Sequence, residues 1–170
     1  MEIITILALL FGPLIGIRVQ NKLDDLREAK ERKLLIFKTL MATRANRISF
    51  PHVQALNTID LEFTNKSQIE KEINTSWKIY LDHLHDYPKD GSVNYATKLD
   101  AWLTNGDSLF TDLLHKMSRC FGYDFDIVHL RKGIYNPIGH SELELDESTV
   151  RKGLVDLFKS KVPLSIKIVE

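Results

Sequence analysis

Residues Ile3 to Ile17, IITILALLFGPLIGI, carry no charge, and Arg18 then opens a densely charged stretch, RVQNKLDDLREAKERK. Such a run has to be hidden in a bilayer, in the fold or in an oligomer. As a helix rising 1.5 Å per residue it covers about 22 Å, and Met1 to Val19 covers about 28 Å. A bilayer's hydrocarbon core is about 30 Å thick, so the span is short, but local thinning absorbs that mismatch. Gly12, Pro13 and Gly16 suit a helix in lipid better than one in water. A cleaved export signal fits less well. No basic residue precedes the run, and Arg18-Val19-Gln20 stands where a small-x-small cleavage site belongs. A helix buried in the fold or in an oligomer is the third reading. Residues 1–19 are therefore expected to form a transmembrane anchor, with Ile3 to Ile17 in the lipid bilayer. Arg18, Lys22, Arg27, Lys30, Arg32 and Lys33 all follow the run. The positive-inside rule then places the C-terminal domain in the cytoplasm and the chain in the inner (cytoplasmic) membrane, single-pass.

Nothing breaks a helix from Asn21 to about Ile48. Residues 20–36 read as a charged helical stalk, with Arg27/Glu31 and Glu28/Arg32 spaced for i,i+4 pairing. Leu23, Leu26, Lys30, Lys33, Phe37 and Leu40 follow 3,4 spacing, but two lysines interrupt the seam. Either a solvated helix or self-association of stalks accommodates this. Residues 37–170 read as a compact helical domain. Pro51 marks a break, and a new helix carries Val53, Leu56 and Phe63. Asn65 to Tyr87 is the clearest helix: Ser67 and Glu70 form a capping-box pattern, and Ile69, Ile73, Trp77, Tyr80, Leu81 and Leu84 make its apolar stripe. A helix through Val93 to Leu103 is expected to stop at Thr104-Asn105-Gly106. Asp107 would cap the next, which Gly122 closes. A short helix fits GYDFDIVHLRKG. IYNPIGHSELELD reads as extended or loop, Val150 to Phe158 as a last helix, and PLSIKIVE as a strand. The fold class is mainly α: a membrane helix continuing into the stalk, then a multi-helix domain with at most one or two short strands near the C-terminus.

The chemistry is sparse. With 23 basic and 23 acidic residues the net charge is zero, which argues against a broad nucleic-acid surface, and no nucleic-acid partner is expected. The single cysteine, Cys120, forms no intrachain disulfide and reads as a small buried side chain. Phosphate-loop and dinucleotide glycine motifs are absent, as are HExxH and paired CxxC motifs. No catalytic residue, metal site or cofactor is assigned, and the chain leans away from being an enzyme. His83 and His85 point to different faces of a helix and read as surface residues. The stretch MATRANRISFPHVQALNTIDLEF is richer. Arg44 and Arg47, three apart, would share a helix face, and Asp60 would meet one of them across the hairpin as a structural ion pair. The functional alternative is a polar pocket of Arg44, Arg47, His52, Asn57, Asp60 and Glu62, since paired arginines hold phosphate or carboxylate. A second cluster, His129, Arg131, Lys132, Tyr135 and His140, reads as a basic edge that would face an anionic leaflet.

MATRANRISFPHVQALNTIDLEF and GYDFDIVHLRKGIYNPIGH together resemble a bacterial and phage-borne family known only as a domain of unknown function, over roughly Leu34 to the C-terminus. The resemblance implies a short membrane segment, a charged stalk and a small helical domain, and it supplies no substrate or active site. The preferred function is a membrane-anchored, non-catalytic binding, scaffold or regulatory protein, oligomeric or bound to a protein partner. One alternative is a small-molecule or nucleotide-binding protein, or an enzyme, using the Arg/Asp pocket. The other is a membrane-active effector in phage–host conflict, whose Gly12, Pro13 and Gly16 would permit close helix packing.

Overall fold

The computed structural model describes residues 2–135, 137–159 and 161, with side chains from residue 15 onward except at 138, 140, 141 and 144. The described residues are mainly helical: α1 (Glu2–Ala42), α2 (Phe50–Asn57), α3 (Ile59–Glu62), α4 (Gln68–His85), α5 (Tyr95–Cys120), α6 (Ile127–Lys132) and α7 (Ile138–Phe158). The chain divides into two compact units, Met1–Ile134 and Tyr135–Glu170. Among the described residues no helix is long and apolar enough to cross a membrane. Most of the oily run expected to do so lies outside the described side chains, and so does the expected strand PLSIKIVE.

α1 continues unbroken through the stalk. Its last three turns join the core. Arg32 pairs with Glu62 at 3.0 Å, Lys33 with Glu70 at 2.6 Å, and Ile36, Phe37 and Leu40 are buried. They share one core with Leu56 of α2, Ile59 of α3, Phe63 just after α3, Ile73 and Trp77 of α4, Leu113 and Met117 of α5, and Leu130 of α6. The α5–α6 link closes over α1 through Phe37, whose ring lies 5.8 Å from Phe121 and 5.9 Å from Tyr123.

The start of α4 carries the Ser67 half of the expected capping box, while Glu70 reaches back one residue further, to Lys66 rather than to Ser67. Ser67 Oγ accepts from Glu70 N at 3.3 Å, and Glu70 accepts from Lys66 N at 2.9 Å. Asn65 turns the chain with φ 62, and Asn74 Nδ2 donates to its side chain at 2.9 Å and to the Phe63 carbonyl. Gly122 follows α5 in the left-handed region at φ +79, as a closing glycine should.

Two expectations fail. α5 does not stop at Thr104-Asn105-Gly106; it runs through as one 26-residue helix, and Asp107 is an interior residue rather than a cap. Gly106 serves packing instead. It is buried, and a Cβ there would lie 2.9 Å from His83 Nε2. His83 stacks on Trp102 at 4.9 Å; its Nε2 lies 3.0 Å from the Trp102 carbonyl, and Trp102 Nε1 donates to the His83 carbonyl at 2.9 Å. His83 is thus an interhelical packing residue that needs the missing side chain. The second failure is IYNPIGHSELELD, which is helical from Ile138. Pro137 precedes the helix with extended ψ 141, a start that proline tolerates.

Gly→Ala in a helix interior ordinarily stabilises by about 1 kcal/mol. At Gly106 that gain is opposed by the pinned His83 ring. Gly106→Ala is expected to destabilise by about 1 kcal/mol in urea denaturation, and the same change in a His83→Ala background to stabilise. Stabilisation in both backgrounds would show that His83 does not demand the glycine.

Candidate functional site

The arginine–aspartate pocket does not form as expected. α1 ends at Ala42, and residues 43–49 are turns, so Arg44 and Arg47 do not share a helix face. Arg47 crosses to α5, where its Nη2 lies 2.8 Å from Asp107 Oδ1 and its guanidinium lies 4.6 Å from the Phe110 ring centre. Arg44 donates to the Met41 carbonyl at 2.7 Å and to the Gly133 carbonyl, joining the C-terminal ends of α1 and α6. Asp60 meets neither arginine; it accepts from Trp77 Nε1 at 3.1 Å. Glu62 belongs to Arg32. The expected ion pair of Asp60 with an arginine is therefore absent among the described residues; Arg47 ties the turn after α1 to α5 through Asp107. Arg131 donates to Ser108 Oγ at 3.4 Å, beside the Arg47–Asp107 pair. His140 lies outside the described side chains.

His52 is fully buried on α2. Its Nδ1 lies 2.8 Å from Thr43 Oγ1, which donates its own proton to the Thr39 carbonyl at 2.7 Å. That leaves the proton between them on Nδ1. Nε2 is buried without a partner, and the ring packs 5.2 Å from Phe110. A second proton would sit on Nε2 with no acceptor. Burial, and secondarily the Arg47 charge, therefore lower the pKa from 6.5 to about 4. His52 is a neutral structural histidine next to Arg47, not a ligand.

Beyond Arg47 a cavity of about 460 Å³ opens among α2, α4 and α5. Val53, Leu56, Trp77, Tyr80, Leu81, Leu84, Trp102 and Leu103 line it, with Arg47, Asn57, Gly106 and Asp107. Burial raises the Tyr80 hydroxyl above its ordinary pKa, while Arg47 beside it pulls the other way. The ionisable groups that reach the cavity are thus tied to one another, and the walls are largely hydrocarbon and aromatic. This is a preformed cavity of ordinary ligand size. Its arrangement serves recognition better than proton transfer.

Of the residues singled out from sequence, Arg47 and Asn57 reach this cavity. Trp102 and Gly106 were missed. The available signals were that the α4 stripe carries more bulk than one helix face needs to cover, and that both tryptophans of the chain fall on α4 and α5. Elsewhere, Ser76, Asp112 and Lys116 form a tight interhelical cluster, with Lys116 Nζ 2.6 Å from Ser76 Oγ and 2.7 Å from Asp112 Oδ2. Burial pushes the Asp112 carboxyl up, but hydrogen bonds from Lys116 and Ser76 outweigh it and hold the pKa below the usual value. The half-buried Cys120 thiol is pushed up by burial and by Glu70, the reverse of what an activated thiol needs.

The profile of a family described as "Family of unknown function (DUF6680)" matches residues 1–170. That agrees with the expected kinship to an uncharacterised family and extends it over the whole chain; it says nothing of a bacterial or phage source. No curated protein and no solved structure matches.

The His52 geometry fixes a pH dependence. The folded pKa lies below the unfolded 6.5, so the unfolded chain binds the extra proton first. The contribution is fully present above pH 6.5 and is lost as pH falls from 6.5 towards 4. Between pH 7.5 and 4.5 this amounts to about 2–3 kcal/mol. His52→Gln is expected to lose that much less stability over the same interval in chemical denaturation. Parallel pH profiles for the two proteins would show that His52 titrates normally.

Proposed function

The chain belongs to that family of unknown function, and we propose that it is a membrane-anchored, non-catalytic binding protein whose helical domain holds an apolar ligand in the cavity among α2, α4 and α5. The observation that carries the binding role is the cavity itself: about 460 Å³, preformed, walled by two tryptophans, a tyrosine and five aliphatic side chains from three helices. Leaving that surface to water costs free energy in the empty state, and an apolar occupant recovers it. What supports the anchor is the uncharged run Ile3 to Ile17 followed by six basic residues. The distribution of exposed groups agrees, since Ile15, Ile17, Val19, Leu23 and Leu26 all stand exposed along α1 before it reaches the core. α1 would then be a continuous strut from bilayer to domain.

Both tryptophans of the chain line the cavity, so occupancy is directly readable. With full-length protein in nanodiscs of zwitterionic lipid, and empty discs subtracted, N-phenyl-1-naphthylamine is expected to give tryptophan-sensitised emission that saturates. Val53 is 42% exposed at the cavity wall, so Val53→Phe fills space there at little cost to folding. It is expected to weaken binding by about tenfold, equivalent to about 1.4 kcal/mol, with helical content unchanged. Equal affinity in the two proteins would place the probe elsewhere.

The anchor has its own test. Full-length protein is expected to resist alkaline carbonate extraction from membranes, while a chain beginning at Asn21 is released and keeps its helical content. Release of the full-length protein would show that the oily run is covered by protein.

A further inference from the structure

The cavity's lining narrows the chemistry of what it can hold. Its two charged residues, Arg47 and Asp107, already neutralise each other at 2.8 Å. An anion drawn to Arg47 would meet the Asp107 carboxylate, and a cation drawn to Asp107 would meet the Arg47 guanidinium. Either ion would leave water for a site whose counter-charge is spent. Both indoles are spent as well. Trp77 Nε1 donates to Asp60 at 3.1 Å and Trp102 Nε1 to the His83 carbonyl at 2.9 Å, so the two rings offer the cavity carbon surface alone. The Tyr80 hydroxyl takes a hydrogen bond from Arg47. Asn57 differs. It is the last residue of α2, it lines the cavity while being exposed, and among the described residues its amide has no hydrogen-bond partner. Of the polar side chains in the lining it alone is uncommitted, with a donor and an acceptor side by side.

We infer that the cavity takes an uncharged ligand: a flat apolar ring lodged against Trp77, Tyr80 and Trp102, ending in a carboxamide or lactam that pairs with the Asn57 amide. The inference rests on the binding role proposed above and names the ligand's chemistry. A flat ring suits aromatic walls, which reward face and edge contact. A carboxamide presents the complementary acceptor and donor, so it uses both groups of Asn57 and leaves the Arg47–Asp107 pair whole. Asn57 exchanges water for ligand in doing so, so the pairing selects among ligands by about one neutral hydrogen bond, while burial of the ring supplies most of the affinity. The size is bounded as well. At about 30 Å³ for each water-sized group, the cavity holds about 15 such groups, which suits a small monomeric ligand.

Three probes of one shape separate the possibilities: 3-phenylpropanamide, 3-phenylpropanoate and 3-phenylpropylammonium. Each is titrated at pH 7.5 into full-length protein in nanodiscs of zwitterionic lipid, following tryptophan emission and subtracting empty discs. The carboxamide is expected to bind about tenfold more tightly than either ion. Asn57 is exposed, so Asn57→Leu keeps its bulk and leaves the fold intact; it is expected to weaken the carboxamide about fivefold with helical content unchanged. Binding of either ion as tightly as the carboxamide overturns the uncharged ligand. A carboxamide affinity unchanged by both Asn57→Leu and Asn57→Ala overturns the pairing with Asn57. Saturable N-phenyl-1-naphthylamine emission without binding of the carboxamide overturns this inference and leaves the cavity's binding role standing. Binding of neither removes the binding role and this inference together.

Discussion

The pair between Lys33 and Glu70 decides where α1 enters the domain. The two charges lie 2.6 Å apart, with side chains 15% and 8% exposed. Charges so far from water are costly unless every partner is in place. Here they are. Glu70 also receives the Lys66 N–H, and Lys33 lies 5.9 Å from the centre of the Phe63 ring. Burial alone would raise the Glu70 carboxyl, but the hydrogen bonds from Lys33 and Lys66 outweigh it, so Glu70 remains a carboxylate. The same residue is the third of α4, so one carboxylate starts that helix and fixes its angle to α1. Shifting α1 by one residue would aim Lys33 away and turn Phe37 and Leu40 out of the core. The register of a 41-residue helix is therefore set over its last three turns.

The cavity follows from how α4 and α5 are spaced. Near Gly106 the helices approach closely enough for His83 to lie where a Cβ would be. Trp102 is held there by stacking and by the reciprocal bonds to His83. At the other side, Arg47 is held by Asp107 and by the face of Phe110. Large side chains pinned at both ends cannot collapse into the space between. The void persists because its walls are individually fixed, which is what a preformed site requires.

Legibility in the sequence tracked the distance over which each interaction acts. The Ser67/Glu70 box and the Gly122 stop were readable because their partners lie within a few residues. The α4 stripe, from Ile69 to Leu84, was readable from period alone. Thr104-Asn105-Gly106 misled because those residue types usually end helices, while the reason for Gly106 sits on another helix. Arg44 and Arg47 were placed on one face because nothing local announces the end of α1 at Ala42; Arg44 itself caps that end by donating to Met41. Asp60 was assigned a guanidinium partner on charge, and the fold supplies the Trp77 indole. Arg47 and Asn57 were chosen for their chemistry and do reach the cavity, while its hydrocarbon walls looked like ordinary core.

An electroneutral protein has no net charge with which to draw a charged ligand from a distance. At physiological ionic strength, exposed charges are screened beyond about 8 Å. Arg47 and Asp107, the charged residues that line the cavity, therefore act at short range, and their leverage depends on how much water the cavity excludes. Arg47 is firmly placed, since its side chain is only 30% exposed and its guanidinium rests on Phe110. Asp107 is not a fault in this arrangement. Without it, Arg47 would be a half-buried cation free to take other rotamers; with it, the guanidinium is fixed beside the cavity. Shape therefore outweighs charge in a cavity walled by three aromatic rings with one paired arginine at its edge.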